Sequence, residues 1–361
     1  MILKMSPRPA IFGVHGLELS EQEKDLFDRM QPLGFILFKR NCKSPEQVKK
    51  LVKSLKESVF HDCVPILIDQ EGGSVQRLFP PHWRNYPAAA VYGDIAQDDM
   101  ELAQKLVDMH YTLLAQELNE LGITVNCAPV LDISFPGAHR VIGERAFSDQ
   151  VETATLLGGI AFEALCKNGI MPVIKHLPGH GRAKKDSHKD LPIIEASLED
   201  LIDTDFDIFR QVVQNTQPLS AWGMTGHLMF PSIDPHEPVT TSVKVIQEII
   251  RGHIGFKGIL ISDCLTMEAL KGTYQTRAIK ALEVGCDLVL HCNGHLEEMI
   301  EICSSLRPMS TALYQRILLE FTILTKNKEK TVQHPDLLWR EFQDIIEPYW
   351  YDQLDTCNKI I

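Results

Sequence analysis

Residues 171–181 read MPVIKHLPGHG. An apolar run closes abruptly on Lys175 and His176, and Pro178 and Gly179 follow at once, so no helix can continue through the segment. This is the pattern of a strand buried on both faces whose far end meets solvent. Seven more short apolar runs, bounded by Gly, Pro or polar residues, recur at 10–14, 34–38, 65–69, 123–127, 219–227, 258–263 and 287–291, with 171–176 the fifth of eight. Between them lie segments of helical period. Val48, Leu51, Val52 and Leu55 form an i, i+3, i+4, i+7 stripe, opened by Ser44 as cap and Pro45 in the first turn. Leu102, Leu106, Met109 and Leu113 repeat that logic.

Parallel strands need crossover helices, and eight of them close without an edge, so the pattern predicts an α/β fold, a single-domain (β/α)8 barrel, over residues 1–330. An open doubly wound sheet is the competing architecture. It is disfavoured because no G-x-G-x-x-G follows the first strand and the polar residues of interest are spread over many strand ends. Residues 331–361 lie outside the eight units. Their Trp339, Phe342, Tyr349, Trp350 and Tyr351 predict a short C-terminal extension that packs on the barrel, or else forms a homodimer interface.

The chain has 361 residues, 44% hydrophobic and 23% charged, which supports a sizeable core and excludes wholesale disorder. With 36 Lys and Arg against 48 Asp and Glu, the net charge of −12 repels polyanions and argues against a nucleic-acid partner. Nine cysteines, odd in number and mostly set in apolar runs, read as reduced core thiols. Cys286 and Cys292 lack the spacing of a zinc site. The N-terminus, MILKMSPRPAIFGV, has no signal-peptide core, and no stretch is long and apolar enough to span a membrane, so the expected location is cytoplasmic.

In a barrel of this kind the chemistry sits at the carboxyl ends of the strands. Asp69, Lys175 with His176, His227 and Asp263 all end predicted strands. Beyond the fifth strand runs KHLPGHGRAKKDSH, 175–188. His176 and His180 have the i, i+4 spacing of a zinc helix, but the Pro-Gly between them breaks any helix. Gly179 and Gly181 are expected to make this loop mobile. At its far end Asp186 precedes His188 by two residues, a spacing that lets a carboxylate orient one imidazole nitrogen and leave the other for proton transfer. A solvated loop histidine beside an acid is the plainer reading of the same spacing. Glycoside hydrolysis needs a carboxylate beneath an oxocarbenium-like centre and a proton donor opposite it. Asp263 fits the nucleophile and His188 the acid, while Asp69, Arg77, Arg145 and Lys175 fit the holding of sugar hydroxyls, the two arginines in bidentate fashion.

DQEGGxVQR at 69–77, NCAPVLD at 126–132, IGER at 142–145, KHxPGHG at 175–181, DSH at 186–188, MTxH at 224–227 and SDxLxM at 262–267 occur in this order. Together, over about residues 9–300, they resemble the bacterial β-N-acetylglucosaminidases of glycoside hydrolase family 3. The resemblance implies a single (β/α)8 barrel and a retaining mechanism with Asp263 as nucleophile and Asp186 with His188 as acid/base dyad. It also implies that Asp69, Arg77, Arg145, Lys175 and His176 bind the N-acetylglucosamine unit. The implied substrate is an N-acetylglucosaminyl-1,6-anhydromuramoyl peptide of cytoplasmic peptidoglycan recycling, and no cofactor is implied. Three positions depart from the family pattern: Ser74 stands where Arg is usual, Cys264 where a second Asp is usual, and Gly226 where Ala is usual.

Other classes remain open on sequence. A metal-dependent hydrolase would use His176, His180, His227, Asp69 and Asp263. A non-catalytic sugar-binding protein would follow if the departures silenced the site. Within glycosidases, a β-glucosidase or a phosphorylase is the nearest competitor, since a histidine acid/base repels incoming phosphate less than a glutamate would.

Overall fold

A computed structural model describes residues 6–187, 189–216, 221–327 and 334–357, with the side chains of 327 and 351–357 outside that description. Eight parallel strands form a closed barrel in sequence order. They are β1 Arg8–Gly13, β2 Pro32–Leu37, β3 Ile66–Ile68, β4 Val125–Asn126, β5 Met171–Leu177, β6 Trp222–Thr225, β7 Leu260–Cys264 and β8 Leu288–His291. The ring closes through β1 against β8, with Ala10 opposite Val289 and Phe12 opposite His291.

The surrounding helices are α1 Glu21–Met30, α2 Pro45–Glu57, α3 Ala89–Asp98, α4 Met100–Leu121, α5 Val151–Lys167, α6 Leu198–Asp203, α7 Asp205–Asn215, α8 Tyr274–Val284 and α9 Leu296–Ser305. A π-helical segment, Val245–His253, fills the crossover between β6 and β7. Two more helices, α10 Thr311–Asn327 and α11 Pro335–Cys357, follow the barrel.

Local signals explain the helix starts. In α1, Ser20 Oγ accepts from Glu23 N (3.2 Å) while Glu23 returns its carboxylate to Ser20 N (2.8 Å), a reciprocal cap. Ser44 caps α2 by accepting from Gln47 N (3.3 Å), and Val48, Leu51, Val52 and Leu55 are buried as their spacing requires. Asp99 caps α4, which stops at Gly122 in the left-handed conformation, φ 77°. The strands are buried almost throughout, so the core is double: side chains inside the barrel, and a shell between strands and helices. Among the described residues no helix is long and apolar enough to cross a membrane.

The C-terminal helix α11 lies along α3 and α4. Phe342 and Ile346 are buried, Trp339 stacks on Phe342 (5.4 Å, 18°) and meets Tyr86 edge-on (5.6 Å). Tyr349 is exposed, Trp350 is half-buried, and the side chain of Tyr351 is outside the described residues.

Candidate active site

The strand ends gather the predicted charges into one buried ionic cluster. Asp69, just past β3, accepts from Lys175 Nζ of β5 (2.8 Å, Oδ1) and from Arg77 Nη2 (3.2 Å, Oδ2). Lys175 Nζ also lies 2.6 Å from Glu71 Oε1. Glu71 in turn receives both Nε and Nη2 of Arg145, each at 2.8 Å. Burial alone would push Asp69 up, but Lys175 and Arg77 outweigh it and hold the carboxyl well below its usual range. Glu71 is likewise held down against burial by Arg145 and Lys175. Burial would strip Lys175 of its proton, yet Asp69 and Glu71 reverse the effect and keep the ammonium charged. The cluster is therefore fully ionised at neutral pH.

Arg145, expected to hold sugar hydroxyls, has its Nε and Nη2 on Glu71 and its Nη1 on Val141 O (2.9 Å), which leaves one further N–H on each Nη. Arg77 differs. Its Nε is buried without a hydrogen-bond partner, and its guanidinium lies over the Phe38 ring at 5.3 Å. Donors remain there for a ligand.

The second grouping is built on Asp132. This buried carboxylate accepts from His176 Nδ1 (2.6 Å) and from the backbone N–H of His180 (2.6 Å). His176 is thereby oriented with Nε2 turned away from Asp132. His180 Nε2 pairs with Ser187 Oγ (3.1 Å), so the loop after β5 is tied back on itself next to Asp186. Burial pushes His180 down to about 4, with His176 adding to the effect, so His180 is neutral. His227 sits elsewhere in the hydrogen-bond pattern, between Thr240 Oγ1 (2.7 Å) and Cys264 O (3.0 Å). The histidines of the metal reading are thus engaged by carboxylate, hydroxyl and carbonyl groups, and among the described residues no three His, Cys, Asp or Glu side chains gather as metal ligands.

Gly179 and Gly181 also meet a steric demand. A Cβ on Gly181 would stand 1.9 Å from Ile133 O, and one on Gly179 2.8 Å from Asp205 Cβ. Glycine is needed because the backbone presses against the β4 loop and α7. Asp263 is the penultimate residue of β7 and is half-buried, its Oδ1 accepting from Cys264 N (2.7 Å). Its negative charge acts on His180 in the sense opposite to burial, without overcoming it. Asp186 is half-buried, and its carbonyl accepts from Lys189 N and Asp190 N. His188 lies outside the described residues.

Sequence reasoning assigned nothing to Glu71 and Asp132, although both stand inside quoted motifs. Of the departures, Ser74 donates its N–H to Glu144 Oε1 (3.0 Å), and a Cβ on Gly226 would meet Leu228 Cδ1 at 3.1 Å and His176 Cβ at 3.3 Å.

The model of the glycosyl hydrolase family 3 N-terminal domain matches residues 11–317, from within β1 through β8 and beyond. The chain belongs to glycosyl hydrolase family 3. Among family members, a β-hexosaminidase of Methylobacillus flagellatus is 34% identical over 294 residues, covering 80% of this chain and 81% of its own length. One from Haemophilus ducreyi is 31% identical over 329 residues, covering 91% and 92%. NagZ of Neisseria gonorrhoeae, solved with N-trifluoroacetyl-D-glucosamine, superposes with a TM-score of 0.83 at 29% identity, over 95% of this chain and 99% of that one.

Proposed function

We propose that this family 3 enzyme is a retaining exo-β-N-acetylglucosaminidase that removes terminal β-linked N-acetylglucosamine. The reading has Asp263 form the covalent glycosyl-enzyme and the Asp186 and His188 dyad donate and then recover the proton. The observation that carries it is the placement of Asp263: a carboxylate fixed at the β7 end by a backbone N–H, facing the loop after β5. Arg77, Lys175, Asp69 and His176 hold the sugar from the other side of the mouth, with Arg145 acting through Glu71. The relatives' activity as β-hexosaminidases supports the same reaction.

The aglycone side favours an anion. The β4 and β5 loops are joined by His139 N donating to Ala183 O (2.7 Å), so exposed Arg140 and exposed Lys184 each follow one end of that bond, while Lys185 is paired with Asp190, on a chain of net charge −12. A carboxylate-bearing 1,6-anhydromuramoyl peptide suits this rim, as does a cytoplasmic role in peptidoglycan recycling. A homodimer through the C-terminal extension belongs to the same reading.

A fluorinated N-acetylglucosamine donor that slows breakdown of the glycosyl-enzyme tests the assignment. It should label one peptide, containing Asp263, and Asp263→Asn should fold yet be nearly inactive. Labelling elsewhere, or substantial turnover by a clean preparation of the variant, would overturn the reading.

A further inference from the structure

Cys264, which stands where the family pattern has a second Asp, has a neighbour. Cys264 ends β7 opposite Leu290 of β8, and Leu265 N donates to Leu290 O (2.8 Å), so the two strand ends run side by side. Cys292 follows immediately after β8, and its side chain interacts with that of Cys264. Both are free thiols, Cys264 buried and Cys292 half-buried. Thr266 Oγ1 is 3.0 Å from Cys264 Sγ, and the Arg40 guanidinium, bonded to the carbonyls of Cys292 and Val14, acts on both cysteines. Asp263 directly precedes Cys264 and takes its N–H.

We propose that Cys264 and Cys292 form a redox-active thiol pair that a peroxide closes to a disulfide, and that closure disturbs Asp263 and slows turnover. The consequence for turnover rests on the reading of Asp263 as nucleophile. The Thr266 hydroxyl 3.0 Å from Cys264 Sγ and the neighbouring Cys292 thiol both favour loss of the Cys264 proton, whereas burial pushes the thiols of Cys42, Cys63 and Cys303 up to about 12. Oxidation therefore selects Cys264, since the thiolate is the nucleophile. Its sulfur attacks one peroxide oxygen and the O–O bond breaks, giving the sulfenic acid and, with one proton, water. Cys292 sulfur then attacks the sulfenic sulfur. Its proton leaves with the displaced hydroxide as a second water, and the two electrons lost by sulfur are those gained by the peroxide. An S–S bond of about 2 Å is shorter than any contact between separate thiols, so closure draws the β7 and β8 ends together and shifts the N–H that holds Asp263.

The test uses the full chain and hydrogen peroxide, followed by blocking of free thiols and non-reducing peptide mapping by mass spectrometry. A Cys264–Cys292 cross-link should appear together with at least a tenfold loss of turnover on a chromogenic N-acetylglucosaminide, and dithiothreitol should restore it. Cys292→Ser, which keeps a donor beside Cys264, should retain its starting turnover, give no cross-link and trap dimedone on Cys264 under peroxide, whereas Cys292→Ala should retain turnover, give no cross-link and trap dimedone more slowly. Both thiols remaining alkylatable, a cross-link to other cysteines, or a cross-link with undiminished turnover would overturn the proposal. The cross-link is read by mass in Asp263→Asn as well, so a failure of the nucleophile assignment and a failure of the thiol pair are told apart.

Discussion

Glu71 holds two cations at once, and its partners come from positions 74 and 104 residues away in the chain, on different strand ends. Removing its charge while keeping its shape leaves Lys175 and Arg145 buried with less compensation than they need. Glu71→Gln should therefore lose roughly 3–5 kcal/mol of stability, the usual cost of breaking a buried ion pair from one side. Inhibition by free N-acetylglucosamine should weaken with it, because Lys175 is no longer held in place. A denaturation midpoint equal to that of the unaltered protein would sink this account. Asp69, Lys175 and His176 were legible in the sequence because charge at the end of an apolar run is conspicuous. Glu71 and Asp132 were not, because nothing in a linear pattern says which carboxylate meets which cation across the barrel. The dyad calls for a kinetic test. His188→Ala should lose on the order of 10² to 10⁴ in kcat/KM on a disaccharide, whose leaving oxygen needs a proton, and much less on a nitrophenyl glycoside. Equal losses on both would mean that His188 does not transfer a proton.

At the scale of elements, all eight runs became strands, but β3 and β4 keep only the short pieces Ile66–Ile68 and Val125–Asn126. The flanking residues Pro65, Ile123 and Cys127 are also buried, and run-based reasoning cannot separate such buried flanks from strand. The helix α11 was missed as a helix, although Trp339, Phe342 and Ile346 have the i, i+3, i+7 spacing of one face. Phe342 is that face's anchor, fully buried and stacked under Trp339. Phe342→Ala should cost roughly 3–5 kcal/mol, the range for a large aromatic removed from a packed core. Turnover per folded molecule should be unchanged, since α11 covers the outer face of α3 and α4. A loss below about 1 kcal/mol in urea denaturation would show that α11 docks only loosely.

For the whole molecule, buried titratable groups set how stability follows pH. Burial pushes His110 down to about 3, between the stacked rings of Tyr86 and Tyr111, and His180 down to about 4. His291 is also lowered, chiefly by burial, with Glu298 opposing. His110 and His180 stay neutral when folded but take up protons near pH 6.5 when unfolded, and His291 is shifted in the same sense, so the stability they contribute is present above that pH and is lost as pH falls. Glu117 has the opposite sign. Burial raises it to about 7 against the pull of Arg84, so its contribution is present below its unfolded value near 4.3 and is lost as pH rises through 7. As pH falls from 6.5 to 5, the uptake by His110 and His180 on unfolding rises from about one proton to about two, while Glu117 releases just under one. The net uptake therefore grows from near zero to about one, a slope approaching about 1.4 kcal/mol lost per pH unit by pH 5. Below about pH 4.5 the decline should steepen, because Asp69, Glu71 and Asp132, all depressed in the folded state, must then be protonated on unfolding. Urea denaturation at pH 7, 6 and 5 reads this slope directly. Stability that stayed flat or rose across that interval would mean that the buried histidines are charged in the folded barrel.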